Sequence, residues 1–132
     1  MERHDFYQSV QYEANFASEA DARNATEAVL STLGERLDET RLQHLDGSLP
    51  NDIGDFLTDG ASGERFDYEE FLSRIDERTT HTDIDDPEHL ARIVVGTLLE
   101  HIDENERDDL RERLEELEFG AVIPETGPGA RN

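Results

Sequence analysis

Slid over itself by 65 residues, the chain matches without a gap. Val29 falls on Val94, Thr32 on Thr97, Leu33 on Leu98, Glu35 on Glu100, Asp38 on Asp103 and Glu39 on Glu104. Leu45 falls on Leu110 and Leu49 on Leu114. These are eight identities in the 22 positions 28–49, where this composition gives about two by chance. Leu37 meets Ile102, and farther back Phe6 meets Phe71, Val10 meets Ile75 and Asp21 meets Asp86. One register kept from Phe6 to Leu114 points to a duplicated unit. A unit of that size buries too little surface alone, so the two copies are expected to share one core.

The matched apolar residues recur at three- and four-residue intervals, the signature of helices. Each half then reads as three helices and a short closing turn. First helices are expected near Asp5–Ala14 and 67–78, with Phe6/Val10 and Phe71/Ile75 as core pairs four residues apart. Asp67 is the N-cap of the second copy, and Glu70 completes a capping-box pair with it. Long helices follow near Glu19–Leu37, capped by Ser18, and near Pro87–Ile102, opened by Asp86 and Pro87. Third helices start after Asp38 and Asp103, carrying Leu42, Leu45 and Leu49 in one half and Leu110, Leu114 and Leu117 in the other. Half one closes with Leu49-Pro50-Asn51-Asp52-Ile53-Gly54-Asp55-Phe56-Leu57, with Ile53, Phe56 and Leu57 facing inward; half two has Phe119–Ile123 there. The expected fold is all-α: two tandem pseudo-symmetric helical repeats, 1–57 and 67–123, packed into one bundle. A turn-rich linker spans 58–66, and the tail 124–132, with two prolines and two glycines, is expected to be flexible.

The long helices differ. The first carries a stripe at Ala22, Ala25, Val29, Leu33 and Leu37, whereas the second is apolar over most of its girth, from Leu90 through Ile93, Val94, Val95, Leu98 and Leu99 to Ile102. A helix apolar nearly all round is buried on several sides, so 87–102 is expected at the centre of the molecule. Ser31 and Gly96, matched small residues, predict a close approach of the two long helices.

Composition sets the environment. The chain has 34 Asp+Glu against 12 basic residues, a net charge of -22, and every basic residue is Arg. Replacing Lys by Arg removes flexible aliphatic stems, and a dense carboxylate surface holds water where salt competes for it. Salt in turn screens the self-repulsion. Such a surface points to a halophile's cytoplasm, with the fold kept in molar salt and weakened at low salt. Disorder is the competing account of high charge. Leu, Ile, Val and Phe total 31 of 132 residues, above the roughly 20% at which disorder becomes the default, and their helical spacing decides for a folded chain. With no cysteine, disulfides, thiolate metal sites and cysteine nucleophiles are excluded. Met1-Glu2-Arg3-His4-Asp5 has no apolar signal-peptide core. No apolar run approaches the ~20 residues of a membrane span. A cytoplasmic protein that does not enter membranes is expected.

An acidic loop leading into a long helix that ends Val29-Leu30-Ser31-Thr32-Leu33-Gly34-Glu35-Arg36-Leu37, then a leucine-spaced helix running into Leu49–Leu57, resembles domain of unknown function 2267. Asp67-Tyr68-Glu69-Glu70-Phe71-Leu72 resembles that family's opening of each half. Half two departs from it, with Leu114-Glu115 where half one has Leu49-Pro50. The resemblance spans roughly 5–123 and suggests a haloarchaeal-type member. It implies an all-α fold and a prokaryotic origin, and no activity.

The residues that could carry chemistry give no site. His4, His44, His81, His89 and His101 form no Glu-x-x-His pair repeated on facing helices, as a di-iron site needs. Asp86-x-x-His89 has similar spacing, but Asp86 caps a helix and its counterparts are Asp21 and Asn24. His101, beside Glu100 and one turn from Glu104, matches Arg36, so the repeat lends it no support. Gly60-Ala61-Ser62-Gly63 lacks the lysine and preceding strand of a phosphate loop, and Gly47-Ser48-Leu49-Pro50 is no nucleophile elbow. Arg107, Arg111 and Arg113 are interleaved with Asp108, Asp109, Glu112 and Glu115. That is a salt-bridge-laced helix face rather than a basic stripe for nucleic acid. No catalytic, cofactor-binding or metal-ligating residue is therefore assigned. The expectation is a non-enzymatic module that forms a homodimer or binds another protein, with Tyr7, Tyr12 and Phe16 as an exposed apolar contact. An enzyme with a site between the halves, using His89 or His101, and an acidic mimic of nucleic acid are the alternatives.

Overall fold

The computed structural model describes residues 3–37, 51–60, 64–79 and 86–123. Regular structure among them is helical: α1 (Arg3–Ala14), α2 (Glu19–Arg36), α3 (Asn51–Gly60), α4 (Tyr68–Arg78), α5 (Pro87–His101), α6 (Glu104–Glu116) and a 3-10 turn (Gly120–Val122). The expected third helix of half one, with Leu42, Leu45 and Leu49, and the tail 124–132 lie outside the described residues. So do His44 and His81. The closing segment of half one is longer than a turn, since α3 continues to Gly60, into the stretch read as linker.

Helix starts follow the sequence closely. Ser18 Oγ accepts the Asp21 N–H at 3.2 Å, Asp67 Oδ1 accepts that of Glu70 at 2.9 Å, and Asp103 Oδ1 that of Glu106 at 3.0 Å. Asp86 accepts from both Glu88 and His89, with Pro87 at the first helical position. Each cap contributes about 1 kcal/mol, and the three carboxylates also complement the positive end of the helix dipole. The reciprocal half of the expected capping box is not made. Glu70 Oε2 instead takes Arg74 Nε at 2.9 Å, because a charge-assisted bond to guanidinium outweighs one to a backbone amide.

Two helix ends turn on left-handed residues, Asn15 (φ 59) and Glu118 (φ 67). At each, the next N–H reaches five residues back and the left-handed residue's own N–H three back: Phe16 to Gln11 O and Asn15 to Tyr12 O, Phe119 to Leu114 O and Glu118 to Glu115 O. This is the Schellman arrangement. It drives Phe16 and Phe119 back into the core, where both are buried.

One apolar cluster runs from Phe6 to Val122 and draws on both halves. α5 packs against α1, α2, α4 and the 3-10 turn, while α2 packs against α1, α3, α4 and α5. The centre is thus shared by two helices, which corrects the expectation of a single central 87–102 helix. The buried surface of α2 includes Ala22, Ala25, Thr26, Ala28, Thr32 and Gly34, small or polar-tipped residues that close packing buries although they give little apolar bulk. Ser31 and Gly96 are half-buried. The close backbone approach falls at Gly34, where a Cβ would collide with the Leu57 carbonyl of α3.

Several matched positions behave alike. Thr32 and Thr97 are buried, and each donates its hydroxyl to the carbonyl four residues back, Ala28 at 2.7 Å and Ile93 at 2.9 Å. Leu37 and Ile102 are both buried, extended C-caps.

Candidate functional site

The densest polar constellation lies where α4 crosses α2. Arg74 and Arg78, four residues apart on α4, share one carboxylate: Glu35 Oε1 accepts Arg74 Nη1 at 2.9 Å and Oε2 accepts Arg78 Nη2 at 3.0 Å. Arg78 Nη1 also donates to Thr32 Oγ1 at 2.7 Å, so that buried hydroxyl both donates and accepts. Arg74 is held further by Glu70 and by Glu64 at 3.3 Å. Its guanidinium carbon lies 4.1 Å from the centre of the Phe66 ring, a cation–π contact. The hydrogen bonds that Arg74 donates to Glu70, Glu35 and Glu64 outweigh partial burial and raise its pKa above the ordinary arginine value. Arg74 is therefore a fixed cation, and the constellation ties the halves together rather than moving protons. Counterparts of Arg74 and Arg78 in half one are Ser9 and Glu13, and Glu100, which matches Glu35, is exposed; the clasp is one-sided.

A second linkage joins α4, α5 and the 3-10 turn. The Tyr68 hydroxyl donates to Glu88 Oε2 at 2.6 Å, Glu88 Oε1 faces Arg92 Nη2 at 3.7 Å, and Arg92 Nε donates to the Ala121 carbonyl at 3.1 Å. The Tyr68 ring sits against Phe71 and Phe119. Burial, then the hydrogen bond and charge of Glu88, push the phenol well above its ordinary pKa. It stays protonated throughout the physiological range and serves as a donor.

The structure also places the histidines raised by the sequence. His89 is exposed in the first turn of α5, where its backbone N–H serves the Asp86 cap. His101 Nδ1 lies 2.8 Å from the Thr97 carbonyl, so that nitrogen carries a proton. Its ring centre is 5.4 Å from that of Phe6. The two histidines belong to opposite ends of α5 and are not brought together. The side chain of His4 lies outside the described set. Among the described residues no three metal-capable side chains converge, and no described helix is long and apolar enough to cross a membrane.

Of the three aromatics expected to form an exposed contact, only Tyr12 is exposed, at 83%. Tyr7 is 2% and Phe16 9% exposed. Tyr7 meets Phe6 edge-on on the inner face of α1, and Phe16 is turned inward by Asn15. Comparison with half two misled here: a buried position can change size between copies without becoming a surface. On α6 the expected lacing forms in part, through Arg107 with Glu104 and Asp108 and through Arg113 with Glu116. Arg113 Nε, however, is buried without an acceptor.

Neither linkage was found from the sequence. Glu70, Arg74 and Arg78 share a helix face, and that spacing was a usable signal. Their partner Glu35 could not be singled out among so many carboxylates. A protein-family model described as "Uncharacterized conserved protein (DUF2267)" matches residues 3–117. No curated protein matches the chain.

Proposed function

We propose, from the premise that this chain belongs to the DUF2267 family, that it is a non-enzymatic helical module acting through its surface, by forming a homodimer or binding another protein. It works in the cytoplasm of a halophilic prokaryote of haloarchaeal type, and its two halves descend from one duplicated unit. The observation that carries this proposal is the use of its polar groups. Glu35, Arg74, Arg78, Tyr68, Glu88 and Asp86 each hold helices together or cap them. Tyr12, fixed on α1 and 83% exposed, is the aromatic left to meet a partner. The charge of -22 repels a nucleic-acid backbone, so the partner is expected to be protein.

The test is sedimentation over a concentration series in molar KCl, paired with retention of proteins from native lysate at the same salt. A concentration-dependent dimer, or a retained protein released by Tyr12→Ala, supports the proposal. A strict monomer that retains nothing overturns it.

A further inference from the structure

The fold covers its partly exposed phenylalanines with arginine. Arg74 lies over the half-buried Phe66 ring, 4.1 Å from its centre, and Arg23 lies over the half-buried Phe56 ring at 5.8 Å. Tyr12 is far more exposed than either, at 83%, yet among the described residues no arginine lies over it. Its backbone is fixed nonetheless. The Tyr12 carbonyl accepts the Asn15 N–H at 3.3 Å, and Gln11 Nε2 donates across the same turn to the Phe16 carbonyl at 3.4 Å. Tyr12 thus stands on the last turn of α1, the negative end of the helix dipole, which favours a cation. Glu13 beside it is exposed. From Asp5 to Ala22 the chain carries Asp5, Glu13, Glu19 and Asp21 and no arginine. The matched position in half two is Glu77, also exposed, so the shared fold does not require a ring there.

We propose that Tyr12 is the stacking platform for an arginine supplied by a basic segment of another protein, an inference that rests on the protein-binding reading of the chain. Molar salt shortens the reach of charge to about 3 Å, so chemistry at contact decides. A guanidinium is planar and weakly hydrated and lies flat on an aromatic face, whereas a strongly hydrated ammonium gains less. Charge selects the partner. A second copy would bring a surface with 34 carboxylates against 12 arginines, while a basic segment brings the charge that the end of α1 lacks.

The test titrates the full chain in molar KCl with a short peptide alternating arginine and glycine, and separately with its lysine and glutamate analogues. Tyr12 ring resonances are followed, with the buried Tyr7 ring as reference. Saturable movement of the Tyr12 signals is expected with the arginine peptide, weaker binding with lysine and none with glutamate. Tyr12→Ala, on an exposed side chain, is expected to weaken binding by about fivefold, and Tyr12→Phe, which keeps the ring face, to preserve it. Equal affinity in Tyr12→Ala, or equal binding of the arginine and lysine peptides, overturns the proposal. So does a homodimer that Tyr12→Ala dissolves, because a second copy would then cover the ring. A protein retained from lysate that the arginine peptide does not displace overturns this proposal and leaves the protein-binding reading standing. A strict monomer that retains nothing sinks that reading itself.

Discussion

The Tyr68 hydroxyl donates to Glu88 across 2.6 Å, joining the first turns of α4 and α5. The phenol's pKa is raised in the folded state from its ordinary value of 10.0, so the native protein binds that proton more tightly than the unfolded chain. The resulting stability is complete below about pH 10 and declines as pH rises above it. Denaturant unfolding from pH 8 to 11 is expected to show this alkaline decline, and Tyr68→Phe to flatten it while costing about 1 kcal/mol near neutrality. An alkaline slope identical in the variant counts against the assignment.

Glu35 serves two arginines with a side chain only 19% exposed. A double-mutant cycle of Glu35→Gln with Arg74→Gln is expected to give a coupling of about 1 kcal/mol that survives in molar KCl. The Arg107–Glu104 pair, whose glutamate is 79% exposed, should lose its coupling there. Equal salt sensitivity of the two cycles would show that the clasp is merely a surface pair.

Glu118 occupies a left-handed position that costs a residue with a Cβ roughly 1 kcal/mol relative to glycine. Glu118→Gly is expected to raise the unfolding midpoint by an amount equivalent to about 0.5–1 kcal/mol. Asn15→Ala, at the matching turn of α1, should lower it by a similar amount. Thermal unfolding of the two variants in the same buffer decides the point, and shifts of the same sign would contradict it.

At Gly34 an added methyl meets main chain, not a side chain that can rotate away. Gly34→Ala is expected to destabilise the protein by about 1–3 kcal/mol even though alanine favours helix. An increase in melting temperature would mean that α3 moves aside freely.

Helix existence and caps were legible because they depend on neighbours in sequence: Ser18, Asp67, Asp86 and Asp103 each act within one turn. Core pairs such as Phe6/Val10 and Phe71/Ile75 were legible for the same reason. Burial of α2 was not, because alanine, threonine and glycine report how near a neighbour comes only after the neighbour is placed. The fate of Phe16 likewise hangs on a turn at Asn15 whose left-handed backbone leaves only a weak mark in sequence. The two polar linkages depend on residues 20 and about 40 positions apart, Tyr68 with Glu88 and Glu35 with Arg74 and Arg78. Among so many carboxylates, spacing along the chain cannot select such partners.

Glycine at 34 and leucine at 99, matched positions on the two long helices, make the closing segments of the halves non-interchangeable parts. A long helix can lie on α2 because position 34 is bare, whereas the second half fills the same place with a buried leucine and closes with a single 3-10 turn. Grafting residues 93–102 onto 28–37 would push α3 off its seat, and the reverse graft would leave a hole where the buried Leu99 side chain sits. Each half now fits only its own lid.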